Sequence, residues 1–134
     1  MLDQITIFAE NKKGAFQKVT QILADNGAAV DSCITNDGSE YGTIRIICDE
    51  PGRISSFFDR REYMCRLTHV IAVEIGDEIA RLNGLMIALK EINVNVDYVY
   101  TAHLRSSDAD AAIMHTEDIE IVENSLRSRG FKLI

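Results

Sequence analysis

The pattern of this chain occurs twice, 66 positions apart, and that repeat limits the folds open to it. In the first copy a strand-like run at residues 5–8 stops at the polar stretch Asn11-Lys12-Lys13-Gly14. Phe16, Val19, Ile22 and Leu23 follow at helical spacing. Asn26-Gly27 then supplies a helix stop, because both residues tolerate the left-handed conformation. In the second copy Asp77 stands in the place of Asn11, Ala80 of Gly14, Leu82 of Phe16, Leu85 of Val19 and Leu89 of Leu23. Asn93 replaces Gly27 as the stop. A period this long, present only twice, is unlike a solenoid and points to a duplicated small module.

Each copy continues in the same way. Residues 29–34 alternate as a strand, "NDGSEYG" (36–42) has the composition of a hairpin turn, and "TIRIIC" (43–48) alternates again. Glu50-Pro51-Gly52 opens a helix with Ile54, Phe57 and Phe58 inward. Residues 63–75 read as one long extended run that closes the first copy and opens the second. Residues 95–104 and 111–116 are strands around the turn "RSSDAD", residues 117–130 a helix with Ile119, Val122 and Leu126 inward, and "FKLI" a last strand. The order is βαββαβ, twice. The expected fold is α+β: two ferredoxin-like modules side by side, residues 1–67 and 68–134, with antiparallel sheets and the helices on one face. Modules of this size have thin cores. A second chain against the bare sheet face, hence a homodimer, is expected.

Charge and cysteine usage exclude several classes. The net charge is -7, and Lys12-Lys13 and Arg60-Arg61 are the only close basic groupings, so neither nucleic acid nor an anionic membrane is an expected partner. The longest uncharged run, residues 82–89, is far short of the roughly 20 residues that span a bilayer. The start lacks the basic and apolar regions of a signal peptide, which predicts a cytoplasmic protein. Cys33, Cys48 and Cys65 show no CxxC spacing and read as buried or half-buried thiols. His69, His103 and His115 are not at metal-ligand spacing, and no phosphate-binding glycine loop occurs, so no metal and no cofactor are expected. Asp108 and Asp110, in a turn, read as solvated carboxylates.

A strand, then "ENKKGAF", then a helix ending "ILADNGAAV" resembles an ACT domain. "VEIGDEIARLNGLMIALKEINVNVDYVY" (73–100) resembles the same pattern, so the resemblance covers the whole chain. Two departures stand out: Lys13 occupies the usual proline position, and Ile79-Ala80 replace Pro-Gly in the second loop. The resemblance implies a non-enzymatic regulatory module that binds an amino acid at the loop after the first strand. It also implies a regulated enzyme as a possible separate partner. In many ACT pairs that loop faces the second strand of a neighbouring module, which makes Thr35, Asn36, Tyr98 and Tyr100 candidates.

The loop chemistry fits that implication. A helix N-terminus presents unpaired N–H groups and a positive dipole end to an anion such as a carboxylate. Gly14, Ala15 and Phe16 would offer N–H groups, with Gly14 keeping a Cβ out of the ligand's way. Asn11 would bind carboxylate or ammonium. Lys12 and Lys13 complete the first loop, and Asp31 or Asp37 would take an ammonium. In the second loop Asp77 holds the Asn11 position and Arg81 would add a charge. The alternative for the loop is a simple turn, and for the tyrosines packing. At the level of function, the alternatives are a ligand-free dimerisation adaptor or a small enzyme.

Overall fold

The structure, a computed structural model, describes residues 2–36 and 40–134. The expected hairpin tip at residues 37–39, with Asp37, lies outside the described residues. The chain divides into two compact units, Asp3–Thr68 and His69–Ile134, with Leu2 grouped in the second.

The first unit contains β1 (Leu2–Glu10), α1 (Ala15–Asp25), β2 (Val30–Asn36), β3 (Tyr41–Cys48), α2 (Pro51–Arg60) and the opening of β4 (Met64–Glu74). Its strand order is β2-β3-β1-β4, with β1 and β2 both antiparallel to β3. Side chains alternate between faces along a strand. Ile5 and Ile7 therefore point the same way as their partners Ile46 and Ile44, into a core closed by Val19, Ile22 and Leu23 of α1 and Ile54 and Phe58 of α2. On the opposite face Gln4 and Thr6 are buried and polar. Gln4 Nε2 donates to Thr6 Oγ1 at 3.0 Å, and that hydroxyl lies 2.9 Å from Thr68 Oγ1. The burial is tolerable because each group has a partner.

The second unit contains the rest of β4, α3 (Ile79–Ile92), β5 (Tyr98–Leu104), β6 (Ala109–His115) and α4 (Ile119–Ser128). β6 is antiparallel to both β4 and β5, from Ile71↔Met114 to Tyr98↔His115. The expected last strand is a short one. Leu133 bridges Val73, the Glu74 N–H donates to the Lys132 carbonyl, and the Ile134 N–H to that of Ala72, both at 2.9 Å. Ile71, Val73, Leu85, Leu89, Met114, Val122 and Leu126 form the core. Each unit thus has the ferredoxin-like arrangement, and the long extended run at residues 63–75 is one strand, β4, whose residues serve both. The helix stops also stand where the sequence places them: Gly27 and Asn93 have φ of +62° and +63°.

All three cysteines are free thiols at the first core, Cys48 buried, Cys33 and Cys65 half-buried. Burial pushes each thiol's pKa up, and for Cys48, with Asp49 adding to the effect, to about 11. The thiolate is the reactive form. Cys48 is therefore expected to react with Ellman's reagent at pH 8 only as fast as the unit opens. Stopped-flow labelling across a urea series should show its rate following the unfolded fraction.

Candidate functional site

β1 ends at Glu10, and the chain must turn from strand to helix within four residues. Gly14 makes the turn with φ +82°, a left-handed conformation open to glycine at little cost. A Cβ at Gly14 would meet no protein atom within 4 Å, so what the fold itself requires of the glycine is the backbone angle. The Asn11 N–H donates to the Glu40 carbonyl at 2.8 Å, tying the turn to the β2–β3 hairpin. The Ala15 N–H donates to the Lys12 carbonyl at 3.2 Å. Of the three N–H groups expected to face an anion, the one on Ala15 thus already serves the turn.

A cavity of about 350 Å³ opens beside this turn. Asn11, Lys12, Ala15, Phe16, Thr35 and Asn36 line it. The sequence nominates all six, from three segments; Lys13 and Gly14 are not in the lining. Thr35 reaches the cavity because its partner Ile44 belongs to the face packed under the helices. Phe16, on the apolar face of α1, is not core: it is 44 % exposed at the cavity. Asp31 sits at the far end of β2, close enough to Cys48 to perturb its thiol, and takes no part in the lining.

Sequence reasoning missed Gly42, Thr43 and Ile44, which line the cavity from β3. A Cβ on Gly42 would lie 2.7 Å from the Asn36 carbonyl oxygen, so only glycine lets the two strands approach there. The signal was the hairpin pairing of residues 36 and 43. Lys12 Nζ lies 2.9 Å from Glu10 Oε2, with both side chains exposed. Lys12 holds the Glu10 carboxyl below its ordinary pKa, and Glu10 raises that of Lys12.

The second unit carries the counterpart, a cavity of about 400 Å³ lined by Asp77, Glu78, Ile79, Leu82, Thr101, His103 and Asp110 among others. Thr101 and Leu82 occupy the repeat positions of Thr35 and Phe16. Arg81, expected to add a charge, is not among the described lining residues but reaches Gly76, which is. Its guanidinium lies against Gly76 (a Cβ there would be 3.0 Å from Nη1), and its side chain lines a different groove with Glu74 and Lys132. Tyr98 and Tyr100 line neither cavity. They pair with His115 and Ile113 on the sheet face opposite the helix-covered one. Their rings stack 6.4 Å apart, and Tyr98 stacks on His115 at 5.5 Å.

Asp108 and Asp110 are not simply solvated. His103 Nδ1 lies 2.9 Å from Asp110 Oδ1 and Nε2 lies 3.3 Å from Asp108 Oδ1. The cross-strand pair His103↔Asp110 puts the groups together, which sequence spacing alone does not reveal. Asp110 foremost, opposed by desolvation and helped by Asp108, holds the His103 pKa above its ordinary value. Among the described residues no group of three or more His, Cys, Asp or Glu is arranged to hold a metal ion. Among the described residues no helix is long and apolar enough to cross a membrane.

A raised folded-state pKa stabilises the protein fully below the unfolded value, about 6.5 for histidine, and that contribution is lost as pH rises through the folded value. Wild type minus His103→Asn stability, from urea midpoints between pH 5 and 9, should therefore be greatest at the acid end and decline upward. A flat difference would show that the Asp110 contact does not favour the imidazolium.

A family model described as an ACT domain pair matches residues 1–126. Among solved structures, protein BT0572 from Bacteroides thetaiotaomicron is similar over 99 % of this chain and 91 % of its own, at 18 % identity and a TM-score of 0.87. The ligand-free regulatory subunit of aspartate kinase from Thermus thermophilus is similar over 96 % and 90 %, at 17 % identity and a TM-score of 0.68. At these identities the likeness is one of fold. No curated protein matches the sequence.

Proposed function

Because the chain belongs to the ACT domain pair family, we propose that it is a non-enzymatic regulatory protein that binds an amino acid beside the turn between β1 and α1. The observation that carries this reading is the first cavity, where Asn11, Lys12, Thr35 and Asn36, distant in sequence, meet at the start of a helix. The ligand's carboxylate lies toward the α1 N-terminus, where the dipole and unpaired N–H groups favour an anion, and Lys12 adds charge. Thr35 and Asn36 offer oxygens to the ammonium, and exposed Phe16 offers an apolar surface to the ligand side chain. Lys13 and Gly14 shape the turn without touching the ligand.

The ligand biases the protein only through its different affinity for two states of the assembly. That assembly is a cytoplasmic homodimer of modules bounded at residues 67 and 68, and its output is a separate regulated enzyme. The Thermus thermophilus structure, a regulatory subunit of comparable span, supports a regulatory chain of this size.

Differential scanning fluorimetry against the twenty amino acids tests the reading. A ligand that binds only the folded state adds about 2.7 kcal/mol at a hundred times its dissociation constant. One or two amino acids should raise the midpoint with dose. Asn11→Ala should weaken the best of them about tenfold in calorimetry, the worth of a single strong hydrogen bond. A flat screen with an intact dimer would instead favour an adaptor that works through protein contacts alone.

A further inference from the structure

α3 departs from the pattern of the other helices. α1, α2 and α4 expose charged side chains along their outer sides, among them Lys18, Arg53, Asp59, Glu120 and Arg127. Exposed Ile121 on α4 stands singly beside Glu120 and Asn124, as scattered surface apolar residues do. Between Arg81 and Lys90, α3 has no charged residue. Leu85, Ala88 and Leu89 take the buried side, yet Ile87 is 49 % exposed, and Ile79 at the helix start is 77 % exposed. Helical spacing sets Ala80, Gly84 and Ile87 in one row on the outer side.

Gly84 has no internal reason to be glycine. Its φ is not in the left-handed region, and a Cβ there would meet nothing within 4 Å. Glycine weakens a helix interior, so the fold gains nothing from it. The room it leaves lies outside the molecule. A groove of about 330 Å³ runs beside it, with half-buried Phe131 in its wall. The charged groups Glu74 and Lys132 of that groove pair with each other at 3.1 Å.

We propose that the outer face of α3 is where two copies of this chain meet, with the helices crossing antiparallel at Gly84. The inference rests on the homodimer of the reading above and gives it a surface, in place of the bare sheet face expected from the sequence. Charge selects a second copy as the occupant. The face is uncharged in its middle, with exposed Asp77 and Glu78 before its first turn and exposed Lys90 in its last. Of the other charges on the helix, Glu91 pairs with Arg129 and Arg81 has its guanidinium against Gly76. In an antiparallel pair Lys90 of each copy meets Asp77 and Glu78 of the other, and Ile87 of each falls between Ala80 and Gly84 of the other. A two-fold axis makes each contact twice. A parallel pair would set like charges against each other. Alanine and glycine at the crossing let the axes approach to the near end of the usual range of about 8–10 Å. α3 has 14 residues, about 21 Å of helix, a small contact for a stable dimer, so association is reversible and depends on concentration.

Sedimentation velocity on the whole chain, from low to high micromolar concentration, tests the inference. Gly84→Gln should raise the dimer dissociation constant about tenfold or more by crowding the crossing. Its far-UV circular dichroism should stay native, because the Cβ site is open and glutamine favours a helix. Lys90→Glu alone, and Asp77→Lys with Glu78→Lys, should each weaken the dimer several-fold. All three substitutions together should restore it, since the ion pairs re-form with their signs reversed. A dimer unmoved by Gly84→Gln, as pairing through a sheet face or a strand edge would give, overturns the inference alone, and so does charge reversal without rescue. A chain that stays monomeric at every concentration overturns the inference and the homodimer together, while amino-acid binding is judged separately by the fluorimetry.

Discussion

Burial of one apolar sheet face under two helices is the constraint on which each half of this molecule depends. Ile5, Ile7, Ile44 and Ile46 have nowhere to go but beneath Val19, Ile54 and Phe58, and Ile71, Val73 and Met114 beneath Leu85, Val122 and Leu126. A module of this size has little other apolar surface to hide. Once that face is fixed, the two-residue period of each strand assigns every remaining side chain. Thr35 and Thr101 fall on the helix side, near the strand-to-helix turns. Tyr98 and Tyr100 fall on the other side, where they stack with each other and with His115.

The turn between first strand and helix is then forced to be short, and the two halves solve it differently. The first places a left-handed glycine, Gly14, directly before α1. The second places it earlier, at Gly76 with φ +65°, and starts α3 from an extended Glu78. The same topology therefore tolerates the loss of glycine at Ala80, because the left-handed residue has moved four positions upstream. A loop motif compared letter by letter reads this as decay, whereas the backbone shows a relocated turn with its cavity intact.

Charge follows the same division between scaffold and lining. The overall balance is acidic, yet the acid is unevenly used. Near the first turn Glu10 is paired with Lys12, while the second cavity concentrates Asp77, Glu78 and Asp110, of which Asp110 is in contact with His103. Positions in the core are held to type by packing. Positions on the turns are free to change sign, which is how a duplicated module keeps its fold while the residues beside its turns differ.

The order of elements, the helix stops at Asn26-Gly27 and Asn93, the core faces and the six cavity residues from Asn11 to Asn36 were legible in the sequence. Each depends on local rules: hydrophobic period, left-handed tolerance, and a helix that starts where a strand ends. Gly42 against the Asn36 carbonyl, the Arg81 guanidinium against Gly76, and His103 held by Asp110 were not legible. These are meetings between segments, set by strand register and by the packing of helix on sheet, and no local pattern encodes them. The sequence by itself determined what each half would become, and the tertiary structure decided which side chains would meet, because only the folded sheet brings residues far apart along the chain to the same wall of a cavity.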